Sequence, residues 1–136
     1  FYGFLLCLAA TTVAAGQHHL LGQPAPYPLL SAPVLLGTMG GVGMVVGCLG
    51  LLWLRRREDR TPTDPNSRGA DVALTWLLLA VAATGLALLG LRDTGAMGLL
   101  LAVHLGTVLA LFVLLPYSKM VHGAYRGAAL LRDALQ

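Results

Sequence analysis

Four apolar blocks run through this chain, each about as long as a bilayer core requires, and the charged residues stand between or beyond them. A helix rises about 1.5 Å per residue, so roughly 20 residues cross the ~30 Å of hydrocarbon. The blocks fall at residues 1–21, 34–54, 72–91 and 96–115. Of 136 residues 57% are hydrophobic and 11% charged, where a soluble domain carries about 25% charge. The expected fold is therefore all-α, a transmembrane four-helix bundle forming a single membrane domain over 1–136. A short cytoplasmic amphipathic helix is expected from Tyr117 to Gln136.

The connections agree with this division. Residues 22–33 carry Pro24, Pro26, Pro28 and Pro33 and no charge, which predicts an extended or turned segment, because proline fixes φ and removes a donor. The segment 55–71 opens with Arg55-Arg56-Arg57 and continues through the turn-rich Thr61-Pro62-Thr63-Asp64-Pro65-Asn66. Arg92-Asp93-Thr94-Gly95 reads as a tight turn. Of the nine basic residues, five lie in 55–71 and three in the tail, leaving Arg92 alone on the other side. The positive-inside rule then places that loop and both ends of the chain in the cytoplasm; the membrane expected is a bacterial inner membrane. Trp53, Trp76 and Tyr117 fall near the inner interface and Tyr27 near the outer, as an aromatic belt requires. The net charge of +3 reports this topology, and no nucleic-acid partner is expected.

Position 1 is Phe, with no basic region ahead of the first apolar block. A secretory signal opens on a charged stretch, so the chain reads as the C-terminal fragment of a longer protein. The two cysteines, Cys7 and Cys48, each sit inside an apolar block. An all-cysteine iron–sulfur cluster needs four, and a structural zinc site four clustered ligands, so the pair reads as small core residues. The second block holds Gly37, Gly40, Gly41, Gly43, Gly47 and Gly50. The pairs Gly37/Gly41 and Gly43/Gly47 fit close helix packing, and a smooth face against a flat cofactor is the other reading.

The histidines carry the chemistry. All four, His18, His19, His104 and His122, lie in or near the apolar blocks, where an ionisable side chain is costly and marks function. His104 and His122 are 18 residues apart. On one continuous helix that is five turns, so both imidazoles project from one face, ~27 Å apart along the axis. This spacing suits two haems stacked across a membrane, with Pro116 a kink site between them. A bis-imidazole haem needs ligands from facing helices at similar depth. His104 with His18 or His19 meets that to within ~7–9 Å, a difference that tilt absorbs. Neighbouring residues point about 100° apart, so one of His18 and His19 at most faces the haem. Arg92 is the outer cation available to a propionate and equally marks the end of the third span. Transport is disfavoured, since no acidic residue lies inside a span and no inverted pair of broken helices is present.

From His104 to His122 the chain resembles the last haem-binding helix of the gamma subunit of respiratory nitrate reductase, with its His, Leu-Phe, Pro-aromatic-Ser-basic and Val-His pattern. That resemblance implies His104 as an outer-haem and His122 as an inner-haem axial ligand. Over nearly the whole chain a second resemblance holds. Phe1-Tyr2-Gly3-Phe4, Ala25-Pro26-Tyr27-Pro28, Gly40-Gly41-Val42-Gly43-Met44, Leu91 to Gly98, Pro116-Tyr117-Ser118-Lys119 and Val121 to Arg126 are similar to the C-terminal membrane domain of the tricarballylate-utilisation B family. That family includes CitB-type proteins and part of the cobalamin-synthesis fusion CobZ.

The resemblance implies one or two haem b groups and a 4Fe-4S centre confined to an N-terminal part absent from this sequence. It also implies an FAD-dependent dehydrogenase partner and delivery of electrons to quinone. The chain would then be an electron-transfer component of an oxidoreductase system and not a self-contained enzyme. Histidines ahead of the position of Phe1, usual in that family, would supply a partner for His122. The competing expectation is a haem-free anchor that holds a soluble iron–sulfur and flavin module against the bilayer.

Overall fold

The computed structural model describes residues 1–57 and 65–134, with the side chains of 65–68, 119–124, 127 and 134 outside the description. Every regular element among the described residues is helical: α1 (Tyr2–His19), α2 (Ala32–Arg57), α3 (Pro65–Gly90), α4 (Met97–Leu114), a 3-10 turn (Leu115–Tyr117) and α5 (Lys119–Ala134). Three stretches, Ala32–Arg57, Gly69–Gly90 and Met97–Tyr117, are long and apolar enough to cross a membrane. This is a membrane protein.

The boundaries show where local chemistry overrides hydropathy. The first expected span, 1–21, is realised as an 18-residue helix ending at His19. Its last turn, Gln17-His18-His19, is polar, and α1 is not among the three stretches long and apolar enough to cross. Pro33, expected in the loop, sits in the first turn of α2, where a missing N–H costs nothing. Pro65 likewise opens α3, seven residues ahead of the expected start at Val72.

Pro116 has the largest consequence. It falls in the 3-10 turn, and Ser118 follows in extended conformation with φ −95° and ψ 163° before α5 begins. His104 and His122 thus stand on two separate helices, α4 and α5, and the single-face spacing expected of one continuous helix does not hold.

Helices pack in chain order, α1 on α2, α2 on α3 and α3 on α4, while α5 meets the 3-10 turn. The tightest seam joins α1 to α2. A Cβ added at Gly3 would lie 2.7 Å from the Met44 N and 2.8 Å from the Gly40 O. One at Gly40 would lie 2.8 Å from the Cys7 N, the Cys7 Sγ and the Gly3 O. Backbone therefore touches backbone here, the close approach that small residues permit between membrane helices. The glycine pairs read from spacing divide differently: a Cβ added at Gly37 would meet Ala10, one at Gly41 would meet Leu86 of α3, and one at Gly47 would have no neighbouring side chain or helix within 4 Å.

Few side chains are buried. Ala10, Met44, Cys48, Ala82 and Leu111 make up the buried apolar set among the described residues, and Met44, Cys48 and Ala82 form one cluster with Phe4, Cys7 and Leu78 against it. Large apolar residues such as Val46, Leu99 and Leu109 are two-thirds exposed or nearly so. In water this surface would aggregate; in lipid it is the solvated face.

Candidate functional site

Packing in chain order leaves α1 and α4 on either side of a cleft. It has a volume of about 580 Å³ and is lined by all four long helices and by Tyr27 of the first loop, within the ~300–1,000 Å³ usual for ligand sites. Small residues form much of the wall: Ala10, Thr11 and Ala14 on α1, Gly37 and Gly41 on α2, and Ala82 and Gly85 on α3. Phe4 and Phe112 add aromatic bulk. Among the described residues His104 is the one histidine of the lining.

Two neighbouring residues of α3 seat that imidazole. A Cβ at Gly85 would stand 3.1 Å from the His104 Cε1, so the absent side chain makes the space that the ring fills. Thr84 Oγ1 lies 2.9 Å from the His104 Nδ1. The Thr84 hydroxyl also donates to the Ala80 carbonyl at 2.7 Å, with the Val81 carbonyl at 3.1 Å. On α4, Thr107 donates to the His104 carbonyl at 2.8 Å and places its own oxygen 3.5 Å from Thr84 Oγ1. The α3–α4 seam is thus a polar joint inside an apolar span.

The other candidates stand elsewhere. His18 and His19 are exposed at the end of α1, their rings edge to face at 4.9 Å, with the His18 Nδ1 3.2 Å from the Gln23 carbonyl. Neither lines the cleft. His18 follows Thr11 by seven, Ala14 by four and Ala15 by three residues, so it extends the lining stripe of α1 by one turn. Arg92 donates from Nη1 to the Tyr27 carbonyl at 3.3 Å, and its Nε lies 3.8 Å from Asp93 Oδ2. Tyr27 in turn donates its hydroxyl to the Ala14 carbonyl at 2.9 Å. Arg92 and Tyr27 therefore pin the first loop to both α1 and the α3–α4 turn at one end of the cleft. The backbone of His122 belongs to α5, and its side chain lies outside the described residues.

Sequence reasoning passed over Thr84, Gly85 and Thr107 and read Tyr27 as an interface aromatic. One signal was available, since Thr107 follows His104 by three residues and shares its face. Among the described residues no three His, Cys, Asp or Glu side chains converge, so the donor set for a chelated ion is not assembled there. Cys7 and Cys48 are free thiols.

Helices long and apolar enough to cross a membrane, with a histidine-bearing cleft between them, define a polytopic membrane protein. The family model described as Citrate utilization protein B matches residues 1–136, and the chain belongs to that family. It is 51% identical over 136 residues to the Citrate utilization protein B of Escherichia coli, covering 100% of this chain and 36% of that protein. The chain thus spans about a third of the length of the curated relative it matches. No solved structure matches it.

Proposed function

We propose that this domain binds haem b within the membrane and serves as the electron-transfer part of a larger oxidoreductase. The observation that carries this reading is His104, an imidazole lining a largely apolar 580 Å³ cleft walled by small residues. A flat macrocycle suits such walls, and an imidazole suits its iron. Bound there, the haem would supply one-electron chemistry at bilayer depth.

In this reading His104 would hold the haem iron, and Gly85 gives its ring room. A second ligand would come from α1, where the helical register favours His18 over His19. His122 is the candidate ligand of a second, inner haem, paired with a histidine from sequence ahead of Phe1. Arg92 holds the first loop in place and stands as the outer cation for a propionate. The expected partners are an FAD-dependent dehydrogenase, a 4Fe-4S region elsewhere in the full-length protein, and quinone. The relative's name supports citrate utilisation as the process, and the sequence resemblance supports tricarballylate utilisation as well. Eight of nine basic residues on one side put the 55–71 loop and both ends of the chain in the cytoplasm. Arg55 lies 3.8 Å from Asp71 and Arg57 stacks 4.0 Å over Trp53 at that end.

One observation favours a haem-free anchor: among the described residues no second histidine lines the cleft, and the His18 ring is engaged with the Gln23 carbonyl. A reduced-minus-oxidised spectrum of the purified protein decides between them. The haem reading expects a low-spin b-type signal that H104A abolishes, that H18A converts to a high-spin form and that H19A leaves in place. Protein that inserts into membranes without a Soret band, whether expressed alone or as the full-length chain, overturns it.

A further inference from the structure

A neutral imidazole can carry its single proton on either nitrogen, and only an unprotonated nitrogen binds a metal. The Thr84 hydroxyl has one proton, and its 2.7 Å contact with the Ala80 carbonyl is the distance of an O–H···O bond. With that proton spent, Thr84 offers only lone pairs to the His104 Nδ1 at 2.9 Å, a normal N–H···O length. Nδ1 then donates, the Val81 carbonyl beside Thr84 being a second acceptor for the ring, and Nε2 keeps its lone pair. The reverse arrangement would turn the Thr84 proton toward Nδ1 and leave two oxygens 2.7 Å apart with no proton between them.

From this geometry we propose that Thr84 is a positioning residue that holds His104 in the Nδ1–H tautomer and reserves Nε2 for metal ligation. The ligand role of His104 rests on the proposed haem function; the tautomer does not. Thr84 and His104 lie 20 residues apart on different helices, so the bond also sets the rotation of α4 against α3. Thr107, bonded to the His104 carbonyl, braces the backbone and leaves the ring alone. Metal-ligating histidines commonly donate their other N–H in this way, and losing the acceptor typically costs about 10–100-fold in metal affinity.

The test reads two quantities. In haem-free protein labelled with ¹⁵N-histidine, held in nanodiscs and assigned with H104Q, nitrogen shifts report the His104 tautomer. Wild type and T84S should show Nδ1–H, T84V and T84A should shift measurably away from it with only the Val81 carbonyl left as acceptor, and T107V should keep it. In haem titrations, T84V and T84A should bind about 10–100-fold more weakly than wild type, with T84S close to wild type. Unchanged tautomer populations in both T84V and T84A, or T107V shifting as they do, overturn the proposal. Haem bound equally tightly by all variants overturns it as well. If no variant and no wild-type protein takes up haem while the tautomer shifts as expected, the haem reading fails and the tautomer control by Thr84 stands.

Discussion

The two outer seams of the bundle are both built on glycine, and they use it in opposite ways. At the α1–α2 seam Gly3 and Gly40 let backbone meet backbone, with 2.7–2.8 Å left for any added Cβ, and the contact closes without polar side chains. The Cys7 thiol, 4.0 Å from the Gly37 carbonyl, is the nearest approach to one. At the α3–α4 seam Gly85 leaves a gap that an imidazole fills at 3.1 Å; Thr84 engages the ring, and Thr107 bonds the His104 carbonyl and approaches Thr84. The first glycines exclude side chains, and the last admits one. Membrane helices gain little from apolar contact with each other, because lipid is as apolar as they are. Association then depends on close packing or on polar bonds, and this bundle assigns one to each seam.

The sharpest way to break the comparison is to fill the first seam. At Gly40 the atoms an added Cβ meets include main-chain Cys7 N and Gly3 O, which move only if the helix moves. Gly40→Val should cost about 3 kcal/mol, the upper part of the usual overpacking range, and should separate α1 from α2. Denaturation in mixed micelles, read by helical circular dichroism, checks this. A loss under about 1 kcal/mol would show that the seam is looser than its distances imply.

How far this was legible from sequence divides along the same line. The apolar blocks announce the long helices because length and hydropathy are local properties, and His104 stands out as an ionisable residue inside one of them. Contacts between helices depend on register, which one sequence does not encode locally. Gly40 and Gly41 are adjacent, yet one faces α1 and the other α3, and Gly3 lies in a helix with no glycine pattern to mark it. Thr84 was invisible as a partner for the same reason, being 20 residues from His104. The His104–His122 spacing failed for a local reason, because Pro116 has no N–H to continue the helix and the chain turns at Ser118. The polar end of α1 was readable, and hydropathy alone drew that span two residues too long.

Filling the second seam should have a smaller and different effect. Alanine at position 85 meets the His104 Cε1 at 3.1 Å, a flexible ring and not a main chain, so the ring gives by a few tenths of an ångström. Gly85→Ala should therefore cost at most about 1 kcal/mol while displacing the imidazole from Thr84. The telling readout is the ratio of two losses, measured by micelle unfolding and by haem retention. If Gly85→Ala costs as much stability as Gly40→Val, the gap at the α3–α4 seam is structural and the contrast between the seams disappears.

The smallest effect is expected at Gly47, and its sign carries the information. Gly47 shares α2 with Gly40, but nothing lies within 4 Å of an added Cβ there. The only consequences of Gly47→Ala are then those of the helix backbone, where alanine is favoured over glycine by about 0.4–1 kcal/mol. The variant should be as stable as wild type or slightly more so under the conditions that unfold Gly40→Val. A destabilised Gly47→Ala would mean that this face of α2 is covered in the intact protein, by a second copy or by sequence beyond this chain. The glycines of α2 would then have to be divided among three neighbours and not two.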